Sequence, residues 1–256
     1  MRVSSQNGLS VKEAWLILAI LYIVLFIFSA TLFLLFITPA PQPGLWSYLP
    51  ACAVIIVYML TAQSENFQIS TRARLQPSVA VLAIIMGLAM FVLRDILLKL
   101  LPVPSFLAVS FATVQADNVL SIMGSALLLP VLEEVLFRGI VLNGLVKKHP
   151  PAYALLQSSL IYAVATLNPA YMLPKFLLGL LCGLFYLRTH RGLYASILIH
   201  LVYNIGVVSL LAFGQHGLAE AVDSEFLYFV LVVTACMLLP PGYYLLQRVY
   251  EKMAGR

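Results

Sequence analysis

Two adjacent glutamates and one arginine stand in the segment LEEVLFRG, inside a long run of apolar residues. Glu134 and Arg138 are four residues apart with the acid on the N-terminal side, which is the favourable order for an ion pair on one helix face. Glu133 is rotated by about 100° from Glu134 around a helix and has no such partner nearby in sequence. Its carboxylate is therefore expected to remain free for chemistry, such as taking a proton from water.

A histidine and an asparagine follow in the segment HLVYN, where His200 and Asn204 lie one helical turn apart on the same face. Counted along a helix, they lie about 13 and 20 Å from Arg191, and Glu133 lies about 20 Å from Lys147. Because both basic residues are expected to mark the same membrane surface, the three side chains can meet at one depth. Imidazole and amide groups can donate hydrogen bonds to the oxyanion that forms when water attacks a carbonyl. The constellation indicates hydrolysis of an amide bond within or beside the membrane.

The rest of the chain has the composition of a membrane protein that would position these groups. Of its 256 residues, 62% are hydrophobic and 10% are charged, and the mean hydropathy is +0.99. The apolar runs are long and lack the alternation of an outer-membrane barrel, so the sequence predicts an all-α, polytopic transmembrane helix bundle. The fifth and sixth of its predicted spans are short and could instead form a re-entrant hairpin. About eight spans are predicted: Trp15 to Ile37, Trp46 to Ala62, Val79 to Leu101, Val119 to Val146, Ala152 to Leu167, Tyr171 to Leu187, Leu193 to Phe213 and Phe226 to Gln247.

Basic residues predict how the spans are oriented, because cytoplasmic loops retain Lys and Arg. With both the N- and the C-terminus in the cytoplasm, the basic loop residues fall on that side, and the last outer loop carries acids instead. The net charge of +5 is thereby explained by topology, and no nucleic-acid partner is needed. We expect Lys99 and Lys175 to lie near span ends and to reach the interface. Arg94 and Asp95 are expected to be interfacial or to pair within the bundle.

The segment from about Leu128 to Ile205 resembles the CPBP family of intramembrane proteases, which includes type II CAAX prenyl endopeptidases and bacterial homologues linked to bacteriocin maturation or immunity. The resemblance lies in EEVLFRG, similar to the family's EExxxR motif, in the run KFLLGLLCGLFYLRTHRGLYASILIH, and in HLVYN, similar to its HxxxN-type motif. It implies a bundle of about eight helices around a conical cavity that opens towards the cytoplasm and the membrane. It also implies that Glu133 activates water and that His200 with Asn204 forms the oxyanion site.

One motif departs from the family's pattern. The family normally carries FxxxH on the helix between the other two motifs, and the matching segment here is YAVAT, so Thr166 stands where a second histidine is expected. A threonine hydroxyl can hydrogen-bond a water molecule but cannot act as a base near neutral pH. The missing histidine also disfavours a metal, because a catalytic zinc commonly has several histidine ligands. We therefore expect no metal or other cofactor, with Glu133 as the base and with Glu134 and Arg138 in support.

Two functions remain open from the sequence. The first is an intramembrane endopeptidase that cleaves a peptide or protein substrate near the cytoplasmic face, with Thr166 in place of the histidine. The second is a catalytically silent member that keeps the cavity to bind a peptide, as an immunity or scaffold protein would. A transporter is less favoured, because no paired inverted halves with interrupted helices are visible. We expect one membrane-embedded domain over 1–256, with a catalytic core at about 119–213, in the lipid bilayer of a bacterial inner (cytoplasmic) membrane.

Overall fold

A computed structural model describes residues 8–36, 44–62, 75–100, 119–215 and 217–254. Every regular element within these residues is a helix, which confirms the predicted all-α class. The helices are α1 (Val11–Phe36), α2 (Leu45–Ala62), α3 (Pro77–Leu100), α4 (Val119–Leu145), α5 (Pro151–Val164), α6 (Pro169–Arg188), α7 (Leu193–Ala212), α8 (Leu218–Ala221) and α9 (Glu225–Ala254).

Six of the described helices are long and apolar enough to cross a bilayer, namely α1, α3, α4, α6, α7 and α9. The chain is therefore an integral membrane protein built as a helix bundle. The helix α2 is shorter, and α5 has 14 residues, which cover about 21 Å of a hydrocarbon core that is about 30 Å thick. The count of eight spans and the cytoplasmic location of both termini remain predictions.

Prolines and one asparagine determine where α5 and α6 begin. Pro151 and Pro169 stand at the start of these helices, where the missing N–H would have no intrahelical partner anyway. The side chain of Asn168 accepts a hydrogen bond from the backbone N–H of Ala170 at 3.1 Å and caps α6. The turn between the helices passes through Leu167, whose φ of 50° is left-handed. The turn lets α5 and α6 pack against each other, and both also contact α4.

The helix α4 carries the two glutamates and is irregular along its length. Two parts of it, Gly124–Leu128 and Val135–Leu142, are π-helical, and they flank the α-helical part Leu129–Glu134. Such π segments inside α-helices are rare and occur frequently at functional sites. Glu133 and Glu134 end the α-helical part, so both lie where the hydrogen-bonding pattern of the helix changes.

The helix α7, which carries His200 and Asn204, packs closely against α3. At the closest approach, a Cβ atom added to Gly87 would lie 2.8 Å from the carbonyl oxygen of Ile199. Because α4 also contacts α7, the position of His200 depends on both α3 and α4.

Gly87→Ala is expected to reduce the free energy of unfolding by about 1–3 kcal/mol, because the added methyl group overpacks the contact between α3 and α7. Thermal unfolding in detergent measures this change. Leu88→Ala is the neighbouring control, since Leu88 is 51% exposed and its truncation is expected to change stability by about 0.5 kcal/mol or less. If the Gly87→Ala variant and the wild type had the same melting temperature, α3 and α7 could move apart without a loss of free energy of unfolding.

Arg94 and Asp95 pair within the bundle, which is one of the two alternatives that the sequence left open. Both are buried. The carboxylate of Asp95 accepts hydrogen bonds from the backbone N–H of Leu218 and from the hydroxyl of Tyr228, each at 2.8 Å. The guanidinium of Arg94 lies 5.4 Å from the centre of the Tyr171 ring. These contacts connect α3 to α6, α8 and α9.

Candidate active site

The ion pair that the EExxxR spacing predicts is present in the core of the bundle. Nη1 of Arg138 lies 2.8 Å from Oε1 of Glu134, and both side chains are buried. The guanidinium also donates to the carbonyl oxygen of Gly179 at 3.3 Å and lies 4.6 Å from the centre of the Tyr162 ring. Oε1 of Glu134 lies 2.8 Å from Nδ1 of His200. Because an ionised carboxylate only accepts hydrogen bonds, Nδ1 carries a hydrogen, and Nε2 is left to face Glu133.

Glu133 stands among three other side chains rather than alone. Its Oε2 atom lies 3.3 Å from Nε2 of His200, 3.1 Å from the hydroxyl of Tyr162 and 3.4 Å from Nζ of Lys175. The Tyr162 hydroxyl in turn lies 3.2 Å from Nε2 of His200 and accepts a hydrogen bond from Nζ of Lys175 at 2.8 Å. All four residues are buried. We call Glu133, Tyr162, Lys175 and His200 the polar cluster.

The formal charges in and around the polar cluster balance. Two carboxylates, Glu133 and Glu134, face two cations, Arg138 and Lys175, and His200 can then be neutral. A buried charge without a partner costs several kcal/mol, and the cost in a bilayer is of similar size. The pairing makes it possible for all four ionisable groups to be buried in an apolar bundle.

The prediction that Lys175 reaches the membrane interface is wrong. Its side chain is 9% exposed, and Nζ bonds to Tyr162 and Glu133 inside the bundle. Distance from a span end does not determine the direction of a side chain, and here the long side chain extends inward to a carboxylate that needs a cation. Lys99, by contrast, is exposed at the end of α3, with Nζ 4.3 Å from the centre of the Tyr228 ring.

Asn204 is buried one helical turn beyond His200. Its Nδ2 atom donates a hydrogen bond at 3.0 Å to the carbonyl oxygen of Ser125, which lies in the first π segment of α4. Within the described part of the chain, Oδ1 of Asn204 has no hydrogen-bond partner. A primary amide carries two N–H groups, so one can hold α4 while the other donates elsewhere.

Thr166 bonds within the turn that ends α5. Its hydroxyl donates to the carbonyl oxygen of Ala163 at 2.9 Å and lies 3.4 Å from the carbonyl oxygen of Asn168. Tyr162, one helical turn earlier, contacts Glu133 and is the α5 residue of the polar cluster. Neither the contact of Tyr162 with Glu133 nor the inward direction of Lys175 is predicted from the sequence. A signal was available, because two acids and one arginine leave one negative charge in the bundle without a partner.

The residues present do not fit a metal site. Over the described ranges, no group of three or more His, Cys, Asp or Glu side chains is arranged to hold a metal ion. Oε1 of Glu134 is held by Arg138 and His200, and Lys175 places a positive charge beside Glu133.

A cavity of about 770 Å³ lies at the end of α6, away from the polar cluster. Its lining includes Leu155, Leu184, Arg188, Arg191 and Tyr243, and no residue of the polar cluster is among the lining residues. The conical cavity that the resemblance implies, open towards the cytoplasm and the membrane, remains a prediction.

The fold and the site define a polytopic helical membrane protein with a charge-balanced cluster of ionisable side chains inside its bundle. Residues 115–206 match the family model described as type II CAAX prenyl endopeptidase Rce1-like. This match, over about a third of the chain, supports the resemblance to the CPBP family of CAAX-type intramembrane proteases that the motifs indicate. The match includes all four residues of the polar cluster. No curated protein and no solved structure matches the chain.

Proposed function

We propose that the protein is an intramembrane endopeptidase that hydrolyses a peptide bond of a membrane-anchored or lipidated peptide. The observation that carries this proposal is the buried contact between the Glu133 carboxylate and the His200 ring, 3.3 Å apart, within the segment that matches a protease family. Attack by water on an amide requires a base that takes the water proton and a hydrogen-bond donor for the oxyanion. A carboxylate and an imidazole held together in this way can supply both.

Glu133 is the general base of the proposed reaction. It takes a proton from water as the water oxygen attacks the scissile carbonyl carbon. Lys175 and Tyr162 hold the carboxylate from one side, at 3.4 and 3.1 Å from Oε2. Because Oε2 has these partners, we propose that water approaches the other carboxylate oxygen.

His200 and Asn204 stabilise the oxyanion in the proposed reaction. Nδ1 of His200 already donates to Glu134, so Nε2 donates to the oxyanion only when the imidazole is protonated. Burial opposes a positive charge on the ring, and the carboxylates of Glu133 and Glu134, at 3.3 and 2.8 Å from its nitrogens, offset part of that cost. The second N–H of Asn204 supplies the other hydrogen bond. Glu134 and Arg138 support the site by fixing the orientation of the His200 ring.

A catalytically silent, peptide-binding member is the second candidate function. One observation favours it: the Thr166 hydroxyl bonds to the turn, so no second histidine or other base stands at that position. In that case the protein would hold a peptide as an immunity or scaffold protein does, and the buried charges would serve the fold alone.

Cleavage of membrane-anchored peptides by purified protein in proteoliposomes separates the two candidates. We expect the wild type to cleave, with or without a chelator, and Thr166→His to change the rate without being required for it. Cleavage by the Thr166→His variant alone, with peptide binding by both proteins, would instead assign the silent, binding role to the wild type. The peptide set contains lipidated C-terminal segments and unmodified transmembrane segments, so that it also reports the substrate class.

We propose a bacterial inner membrane, both termini in the cytoplasm and a single domain whose catalytic core lies at about 119–213. The basic residues at the ends of α4 and α6 support this orientation, because cytoplasmic loops retain Lys and Arg.

A further inference from the structure

Tyr162 stands at the centre of the polar cluster. Its hydroxyl lies 3.1 Å from Glu133, 3.2 Å from His200 and 2.8 Å from Lys175, so it contacts every other member. The ring is held by Phe137, at 5.0 Å between ring centres, and by the Arg138 guanidinium at 4.6 Å. A tyrosine needed only for packing would not require three ionisable partners at its oxygen.

The contact with Lys175 determines what this hydroxyl can do. An ammonium group that donates to a phenol oxygen at 2.8 Å stabilises the phenolate that remains after the proton has left. The same ammonium lies 3.4 Å from Glu133 and 5.0 Å from the centre of the tyrosine ring. Lys175 therefore lies close to both oxygens. Its ammonium group can stabilise the negative charge on whichever of the carboxylate and the phenol has lost the proton.

Hydrolysis of an amide needs an acid as well as a base, because an amine leaves poorly unless its nitrogen is protonated. In the proposed reaction Glu133 supplies the base, but Thr166 cannot supply the acid, since its hydroxyl is engaged in the turn. Arg138 and Glu134 are committed to their own pair, and in the proposed reaction Nε2–H of His200 is committed to the oxyanion. Tyr162 is the neutral O–H group of the cluster.

We propose that Tyr162 is the general acid for the leaving amine and that Lys175 positions its proton and stabilises its phenolate. This inference rests on the proposed protease function. Glu133 takes one proton of the attacking water, and the C–N bond of the tetrahedral intermediate then breaks. The leaving nitrogen takes the phenolic proton of Tyr162, and protonated Glu133 returns its proton to the phenolate across 3.1 Å. The products are a carboxylic acid and an amine, and both side chains regain their starting state.

A pair of substrates tests this role in Tyr162→Phe. One is a membrane-anchored peptide that the wild type cleaves, and the other carries a nitrophenyl ester at the scissile carbonyl. Because nitrophenolate leaves without being protonated, only the amide needs the acid. We expect Tyr162→Phe to reduce kcat for the amide by about 100-fold or more, with a change of about fivefold or less for the ester. The ester rate also reports whether the variant is folded.

Three further variants separate the role of Tyr162 from that of its surroundings. Lys175→Met is expected to show the same preference for the ester, and Lys175→Arg is expected to recover part of the amide activity. Tyr153→Phe removes a phenolic hydroxyl from the same helix, at a residue that is 43% exposed, and is expected to keep the wild-type rate on both substrates. Equal losses on amide and ester, or an unchanged amide rate in Tyr162→Phe, would overturn the acid role. A wild type that cleaves neither substrate would contradict the protease function itself.

Discussion

Glu133→Gln is expected to reduce kcat for peptide cleavage by about 10²–10⁴-fold, which is the usual contribution of a general base. Glutamine keeps the size of the side chain and can still accept a hydrogen bond from Tyr162, but its amide oxygen cannot take a proton from water. Substrate binding does not depend on that proton transfer, so KM is expected to change much less than kcat. Cleavage in proteoliposomes at several substrate concentrations separates the two constants.

The control for this prediction is Glu251→Gln. Glu251 is an exposed glutamate at the end of α9 whose described contact is a 3.1 Å hydrogen bond from Gln247. This variant is expected to cleave at the wild-type rate. Since Glu133→Gln also takes a carboxylate away from Lys175, its melting temperature is measured in parallel. A folded Glu133→Gln variant with wild-type kcat would exclude Glu133 as the base.

Arg138→Met is expected to lower the free energy of unfolding by about 3–5 kcal/mol, because it leaves the buried carboxylate of Glu134 without its cation. The wild-type guanidinium lies 2.8 Å from that carboxylate and also donates to the carbonyl oxygen of Gly179. Methionine fills a similar volume, so the loss comes from charge and hydrogen bonding rather than from a cavity. Unfolding in detergent, followed by heating or by denaturant, measures the change.

Lys148→Met is the matched control for Arg138→Met. Lys148 pairs with Glu13 at 3.7 Å, but its side chain is 39% exposed, and an exposed pair contributes about 0–1 kcal/mol. The double variant Glu134→Gln with Arg138→Met removes both buried charges and is expected to regain part of the stability. If Arg138→Met melted like Lys148→Met, the buried pair would not be needed to hold α4 in place.

The sequence predicts the parts of the site that depend on spacing along one helix. Glu134 and Arg138 are found as a pair because residues four apart on a helix always lie on one face. The contact between Glu133 and His200 is predicted because each lies a similar number of residues from the membrane surface. A straight helix converts that number into depth. Pro151 and Pro169 are the first residues of α5 and α6 for a local reason as well, since a helix start leaves the N–H that proline lacks without an intrahelical partner.

Contacts that depend on side-chain direction between helices could not be predicted in the same way. Tyr162 and Lys175 come from two helices whose mutual rotation is set by packing, so neither position alone indicates that both side chains point at Glu133. The apolar pattern of the sequence does not predict the π-helical part of α4 that follows Glu134. That Thr166 stands in place of the family's second histidine remains a prediction; its hydroxyl bonds within a turn in which Leu167 is left-handed, and the sequence does not indicate that bond.

Mass spectrometry of the peptide products formed in isotopically labelled water tests the central claim most directly. The wild type in proteoliposomes is predicted to release two fragments of a membrane-anchored peptide, with one labelled oxygen in the new carboxyl group and none elsewhere. Glu133→Gln, incubated in parallel, is predicted to leave the peptide intact over the same time. An intact peptide with the wild type, or labelled fragments formed equally by Glu133→Gln, would contradict the claim that Glu133 activates water for peptide hydrolysis.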